Sequence, residues 1–118
     1  MTIDNIKEEI EKANDIVILT HECPDGDAVG SALAMYLTLK KMNKKVDVII
    51  PEYSNVFSYL PGATEIKKEG KHEPYDLAIS VDVTGIARLN GFAKYFEDAK
   101  TKIQIDHHQV NDMFADYN

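Results

Sequence analysis

The stretch His21-Glu22-Cys23-Pro24-Asp25-Gly26-Asp27 packs an imidazole, three acids and a thiol into seven residues, directly after the apolar run IVILT. Two further groups follow the same habit: Asp82 comes after LAISV, and Asp106-His107-His108 come after TKIQI. Mixed carboxylates and imidazoles are the ligand set of borderline divalent ions such as Mn²⁺, Fe²⁺, Co²⁺ or Zn²⁺. Brought together without a cation, the acids repel, by about 4 kcal/mol for two unit charges ~4 Å apart at an effective dielectric near 20. Divalent ions remove that cost. A carboxylate with two oxygens can bridge a pair of them, and ion pairs ~3.5–4 Å apart are common hydrolytic equipment.

Each group also has a plainer reading. Asp25 and Asp27 suit a turn and the N-cap of a helix. Asp82 suits a solvated strand end, His107-His108 a polar loop, and Asp106 the cap of a following turn. The metal reading draws its weight from coincidence, since three separate groups of complementary chemistry each follow a predicted strand. Cys23 reads as incidental rather than as a zinc ligand, and His72 in GKHEPYD as solvated. Met35 and Met42 read as core on a helix face. The lysine pairs at 40-41, 44-45 and 67-68 read as solvated ends and turns.

The elements that would position these groups are legible in outline. Ile3, Ile6 and Ile10 at helical spacing predict a surface helix over 3–13. IVILT (16–20) and VDVII (46–50) are continuous apolar runs, the pattern of strands covered on both faces. DLAISVDV (76–83) and TKIQID (101–106) complete four strands. A broad apolar face of Val29, Ala32, Leu33, Met35, Tyr36, Leu37 and Leu39 predicts a helix over about 28–42, with Asp27 as its cap. GFAKYFEDA predicts another helix. Within 52–75, YSNVFSYLPGATEI suggests a short helical turn and then a Pro-Gly turn. Alternating strands and helices imply an α/β fold with a mainly parallel sheet, flanking helices and right-handed crossovers. Ligands of such sheets bind beyond the carboxyl ends of the strands. A strand order of 2-1-3-4 would gather all three acid groups at one edge.

Composition narrows the class. A chain of 118 residues has room for one core. Its formal net charge of −7 argues against a surface built to coat nucleic acid, but leaves room for a small phosphate compound held through cations. The single cysteine cannot form an internal disulfide, which points to the cytoplasm. No apolar stretch approaches ~18 residues, and the acidic, amphipathic first fifteen residues do not read as a signal peptide, so no membrane role is expected.

HECPDGDAVGS, then VDVT, then IQIDHH closely resemble the DHH phosphoesterase superfamily, named for its Asp-His-His motif. The nearest group is similar to nanoRNases and pAp phosphatases, and more distantly to RecJ exonucleases. PDGDAVGS, SYLPGA and the Arg88 of ARLNGF carry that narrower likeness. The resemblance implies a manganese-dependent hydrolase of very short oligonucleotides, linear dinucleotides or pAp. It further implies that His21, Asp25 and Asp82 hold one metal and that Asp27, Asp82 and His107 hold the second, with Asp82 bridging. Mg²⁺, Co²⁺ or Zn²⁺ are the other ions the site would accept. His108 would serve the phosphoryl group or leaving oxygen, with Asp106 orienting its neighbours. Arg88 and Ser31 would meet substrate, helped by helix amides near Gly30 and Ser31.

The family pattern continues with a later aspartate ligand and a smaller C-terminal domain carrying a GGGH-type motif. Neither occurs in residues 1–118, and Asp112 and Asp116 follow the DHH triplet too closely to replace the aspartate. The expectation is therefore the N-terminal part of a catalytic domain, impaired in turnover by itself and prone to self-association along an open sheet edge. The competing expectation is a noncatalytic nucleotide- or metal-binding module of the same fold. A dinucleotide-cofactor domain is disfavoured, because neither G-x-G-x-x-G nor G-x-x-x-x-G-K-[ST] occurs.

Overall fold

In a computed structural model of the chain, the structure describes residues 3–20, 26–50, 57–71, 73–81 and 93–105. The elements run α1 (Ile3–Lys12), β1 (Asp15–Leu19), α2 (Gly26–Lys41), β2 (Lys45–Ile49), a 3₁₀ turn (Ala63–Glu65), β3 (Leu77–Val81), α3 (Ala93–Glu97) and β4 (Thr101–Ile105). The four strands form one sheet in the order β2-β1-β3-β4. All three pairings are parallel. The α/β architecture and the 2-1-3-4 order expected from the sequence are both present.

The strands are apolar throughout because the sheet is covered on both faces. β3 is buried at all five positions, and β1 at four of five. Alternation along each strand divides their side chains. Ile16 and Ile18 of β1 join Leu77, Ile79, Val48 and Ile103 in one core, which α2 covers with Val29, Ala32, Leu33 and Tyr36. Ile6 and Ile10 of α1 pack against the rim of that core. On the other face, Val17, Leu19 and Ala78 meet Phe96 and Ala99 around Tyr75. The flanking strands are less apolar, β4 running from half-buried Thr101 to exposed Ile105.

Polar staples set the amino-terminal edge of the sheet. The Asp76 carboxylate accepts the backbone N–H of Asn14 at 3.0 Å and that of Asp15 at 3.4 Å. Asp15 returns the contact, its Oδ1 accepting the Asp76 N–H at 2.8 Å. Lys71 pairs with Asp15, and Lys100 lies 3.5 Å from Asp76. Nearby, Lys44 Nζ donates to the carbonyls of Glu11 and Ala13 at 2.9 and 2.7 Å. That places a cation on the negative end of α1.

Several boundaries depart from the sequence reading. The helix expected from residue 28 begins at Gly26, which puts Asp27 inside its first turn instead of at the cap. α2 stops where Asn43 adopts φ 63°, a left-handed conformation that asparagine tolerates better than most residues. Met42, expected in the core, lies beyond the last helical turn and is 44% exposed. After the Pro61–Gly62 turn, with Gly62 at φ 88°, the 3₁₀ turn leads to a parallel bridge between Lys67 and Ile49. That bridge covers part of the outer edge of β2.

Candidate metal centre

The sheet order decides where the acid groups are launched. Val81 and Ile105 close β3 and β4 immediately before Asp82 and Asp106, and Thr20, one residue beyond the end of the adjacent β1, precedes His21. The registers align these ends: Leu19 pairs with Ser80, Ser80 with Gln104, and Val81 with Ile105. Neighbouring strands lie ~4.8 Å apart, so the three carboxyl ends fall within about 10 Å. α2 begins at the same edge. The amides of its first turn, from Gly26, carry the positive end of its dipole. Those amides replace the ones near Gly30 and Ser31, which lie one turn farther into the helix. Ser31 is exposed on α2.

His21, Asp25, Asp82, Arg88, Asp106, His107 and His108 lie outside the described residues, as do Cys23 and His72. Asp27 is described as the second residue of α2 through its backbone only. Among the described residues no three His, Cys, Asp or Glu side chains gather as a metal site, so no competing centre arises elsewhere in the described fold.

Beneath the strand ends, the sheet carries a feature the sequence reading passed over. The three buried polar residues of the described fold are Thr20, Ser80 and Gln104, one at the carboxyl end of each relevant strand. Ser80 is fully buried, and its Oγ has no hydrogen-bond partner among the described residues. A hydroxyl kept in that position costs free energy unless a polar group above the strand ends engages it. The only trace in the sequence is a serine inside LAISV and a glutamine inside IQI. An orphaned donor under an edge launching carboxylates and imidazoles fits a centre for divalent cations.

A groove lies elsewhere among the described residues. It measures about 600 Å³ and lies against the starts of β1 and β2, lined in part by Asp15, Lys45, Asp47, Glu65, Lys67 and Lys71. Its charges largely satisfy one another. Lys67 pairs with Asp47 at 2.7 Å, and Tyr75 Oη donates to the second Asp47 oxygen at 2.6 Å. Burial first, then that hydrogen bond, raises the Tyr75 phenol above its ordinary value, so it stays a donor. Burial and a hydrogen bond to Glu65 raise the Tyr36 phenol as well. This end of the sheet is built as a structural clamp, opposite to the edge where α/β sheets bind ligands.

Residues 15–118 match the DHH family, N-terminal domain. The chain is 34% identical over 113 residues to the bifunctional oligoribonuclease and PAP phosphatase NrnA of Thermus thermophilus, covering 85% of this chain and 30% of that protein. It superposes on the crystal structure of an exopolyphosphatase-related protein from Bacteroides fragilis with a TM-score of 0.88 and 29% identity, covering 98% of this chain and 37% of the other. The chain thus spans about a third of the length of these relatives. With its parallel 2-1-3-4 sheet and the match over residues 15–118, the chain belongs to the DHH family, in the family's N-terminal domain.

Proposed function

We propose that the chain contributes the metal-binding part of a manganese-dependent phosphoesterase acting on short oligonucleotides, linear dinucleotides or pAp. The observation that carries the reading is the adjacency of the β1, β3 and β4 carboxyl ends, each followed within two residues by a motif residue. The family match and the oligoribonuclease and pAp phosphatase relative support the reaction class.

In this reading His21, Asp25 and Asp82 hold one divalent ion, and Asp27, Asp82 and His107 the other. The bound ions would lower the pKa of a water towards neutrality and offset charge on the phosphoryl oxygens. The protein's own groups do the rest. His108 places a proton donor at the leaving oxygen, and Asp106 orients the neighbouring imidazoles. Arg88 meets a phosphate oxygen, and the α2 amino terminus adds a favourable field for the same anion. Ser31, exposed one turn into α2, would contact the rest of the substrate. No helix among the described residues is long and apolar enough to cross a membrane. A cytoplasmic setting follows from the lone cysteine and the nucleotide chemistry.

Calorimetric titration with Mn²⁺, followed by assays on pAp and a dinucleotide, tests the proposal. Wild-type chain should bind the ion, and Asp82→Ala should abolish binding of the pair because the bridging ligand is gone. Unchanged binding in Asp82→Ala would refute the assignment. Multiple-turnover cleavage of either substrate by this chain would exclude a noncatalytic module of the same fold.

A further inference from the structure

We infer that the groove at the starts of β1 and β2 is a second ligand site, which takes the phosphate group of a small anionic compound between Lys40 and Lys45. It lies at the opposite end of the strands from the proposed metal centre and does not depend on the function proposed above. The groove measures about 600 Å³, within the usual range of small-molecule sites, about 300–1,000 Å³. α2 supplies Lys40 and β2 supplies Lys45, while Lys67 and Lys71 come from the segment after the 3₁₀ turn.

Three acids line the groove beside these four lysines: Asp15, Asp47 and Glu65. In a chain of formal net charge −7, four lysines against three acids make the groove locally positive. Its acids are already engaged. Asp15 pairs with Lys71 and accepts the Asp76 N–H. Asp47 divides its oxygens between Lys67 and Tyr75, and Glu65 is hydrogen-bonded with the Tyr36 phenol. Lys40 and Lys45 are left over. Lys40 Nζ lies 5.9 Å from the centroid of the Tyr36 ring, and neither lysine forms an ion pair among the described residues. The adjacent Lys44, by contrast, spends its ammonium on two backbone carbonyls.

Two elements thus bring unpaired ammonium groups to one concavity, where a cleft concentrates their field on an anion. Each ammonium carries three donors and no acceptor, a match for phosphate oxygens. Exposed Thr64 adds a hydroxyl to the wall, and Val46 and half-buried Ile66 offer apolar surface to an organic part.

The test follows amide chemical shifts of metal-stripped, ¹⁵N-labelled protein during titration with inorganic phosphate and, separately, with ribose 5-phosphate. Removing metal silences any contribution from the carboxyl edge. Saturable shifts are expected at Lys40, Lys45, Val46 and Thr64. The double variant Lys40→Gln, Lys45→Gln should weaken binding at least about tenfold. A control, Lys41→Gln with Lys68→Gln, removes two exposed lysines that do not line the groove and should keep wild-type affinity. The same spectra show whether each variant is folded. Tighter binding of ribose 5-phosphate would support the site and assign it to an organic phosphate; equal binding would support it as a site for the free anion. Absence of saturable shifts at the groove would overturn the inference. So would undiminished affinity in the groove variant, or equal weakening by the control, which would reveal a diffuse surface field in place of a site.

Discussion

At the scale of single residues, the best-defined polar contact joins β1 to β3 at the edge remote from the motifs. The Asp76 carboxyl lies below the usual carboxylate range, chiefly because it accepts the Asn14 N–H, with Lys100 and Lys71 adding to the effect against some desolvation. A carboxyl whose pKa falls on folding stabilises the protein above its unfolded value, about 3.9. That stabilisation fades as the pH drops through the lower, folded value. Asp76→Ala would leave two backbone N–H groups without their acceptor. It should cost about 1–3 kcal/mol at neutral pH. Urea unfolding at several pH values checks both points. The gap between wild type and Asp76→Asn should be full at neutral pH and narrow below about pH 4. A gap independent of pH would show that the charge of Asp76 plays no part.

At the scale of elements, the short helix α3 shows packing overriding intrinsic preference. Five residues are far too few for a stable isolated helix. α3 persists because Phe96 is fully buried against Val17, Leu19 and Ala78, with Ala99 beside it. Phe96→Ala removes that anchor and should destabilise the protein by about 3–5 kcal/mol in equilibrium denaturation. A loss below about 1 kcal/mol would mean that the face is held by other contacts. α2 is the contrasting case. Its sixteen residues present Val29, Leu33, Tyr36 and Leu39 to the opposite core, and its length and apolar face agree.

At the scale of the whole molecule, the two outer edges of the described sheet differ. The outer edge of β2 is partly covered by the Lys67 bridge, where Ile50 N–H donates to the Lys67 carbonyl at 3.0 Å. Among the described residues no strand pairs with the outer edge of β4, and Ile105 there is 38% exposed. Unpaired strand edges invite further pairing, although Lys102 on β4 works against it. The expected outcome is concentration-dependent self-association, seen as rising mass in light scattering. A constant monomer mass over a hundredfold concentration range would count against it.

The element types and their order along the chain were legible in the sequence because both-face burial leaves unbroken apolar runs such as IVILT and LAISV. The motif residues stand out in the sequence because charge and imidazole follow such runs, and apart from the Asp27 backbone and Ser31 the candidate site residues lie outside the described residues. The 2-1-3-4 order could be argued only by asking which arrangement gathers the motifs, and the sheet itself decided it. Tertiary structure alone supplied the rest. Asp15 and Asp76 are sixty-one residues apart and meet only through the β1–β3 register. Ser80 looks like an ordinary strand residue until folding seals it away from water. Periodicity and composition are local properties that a chain carries along its length. Burial and long-range partners exist only after strands have chosen their neighbours.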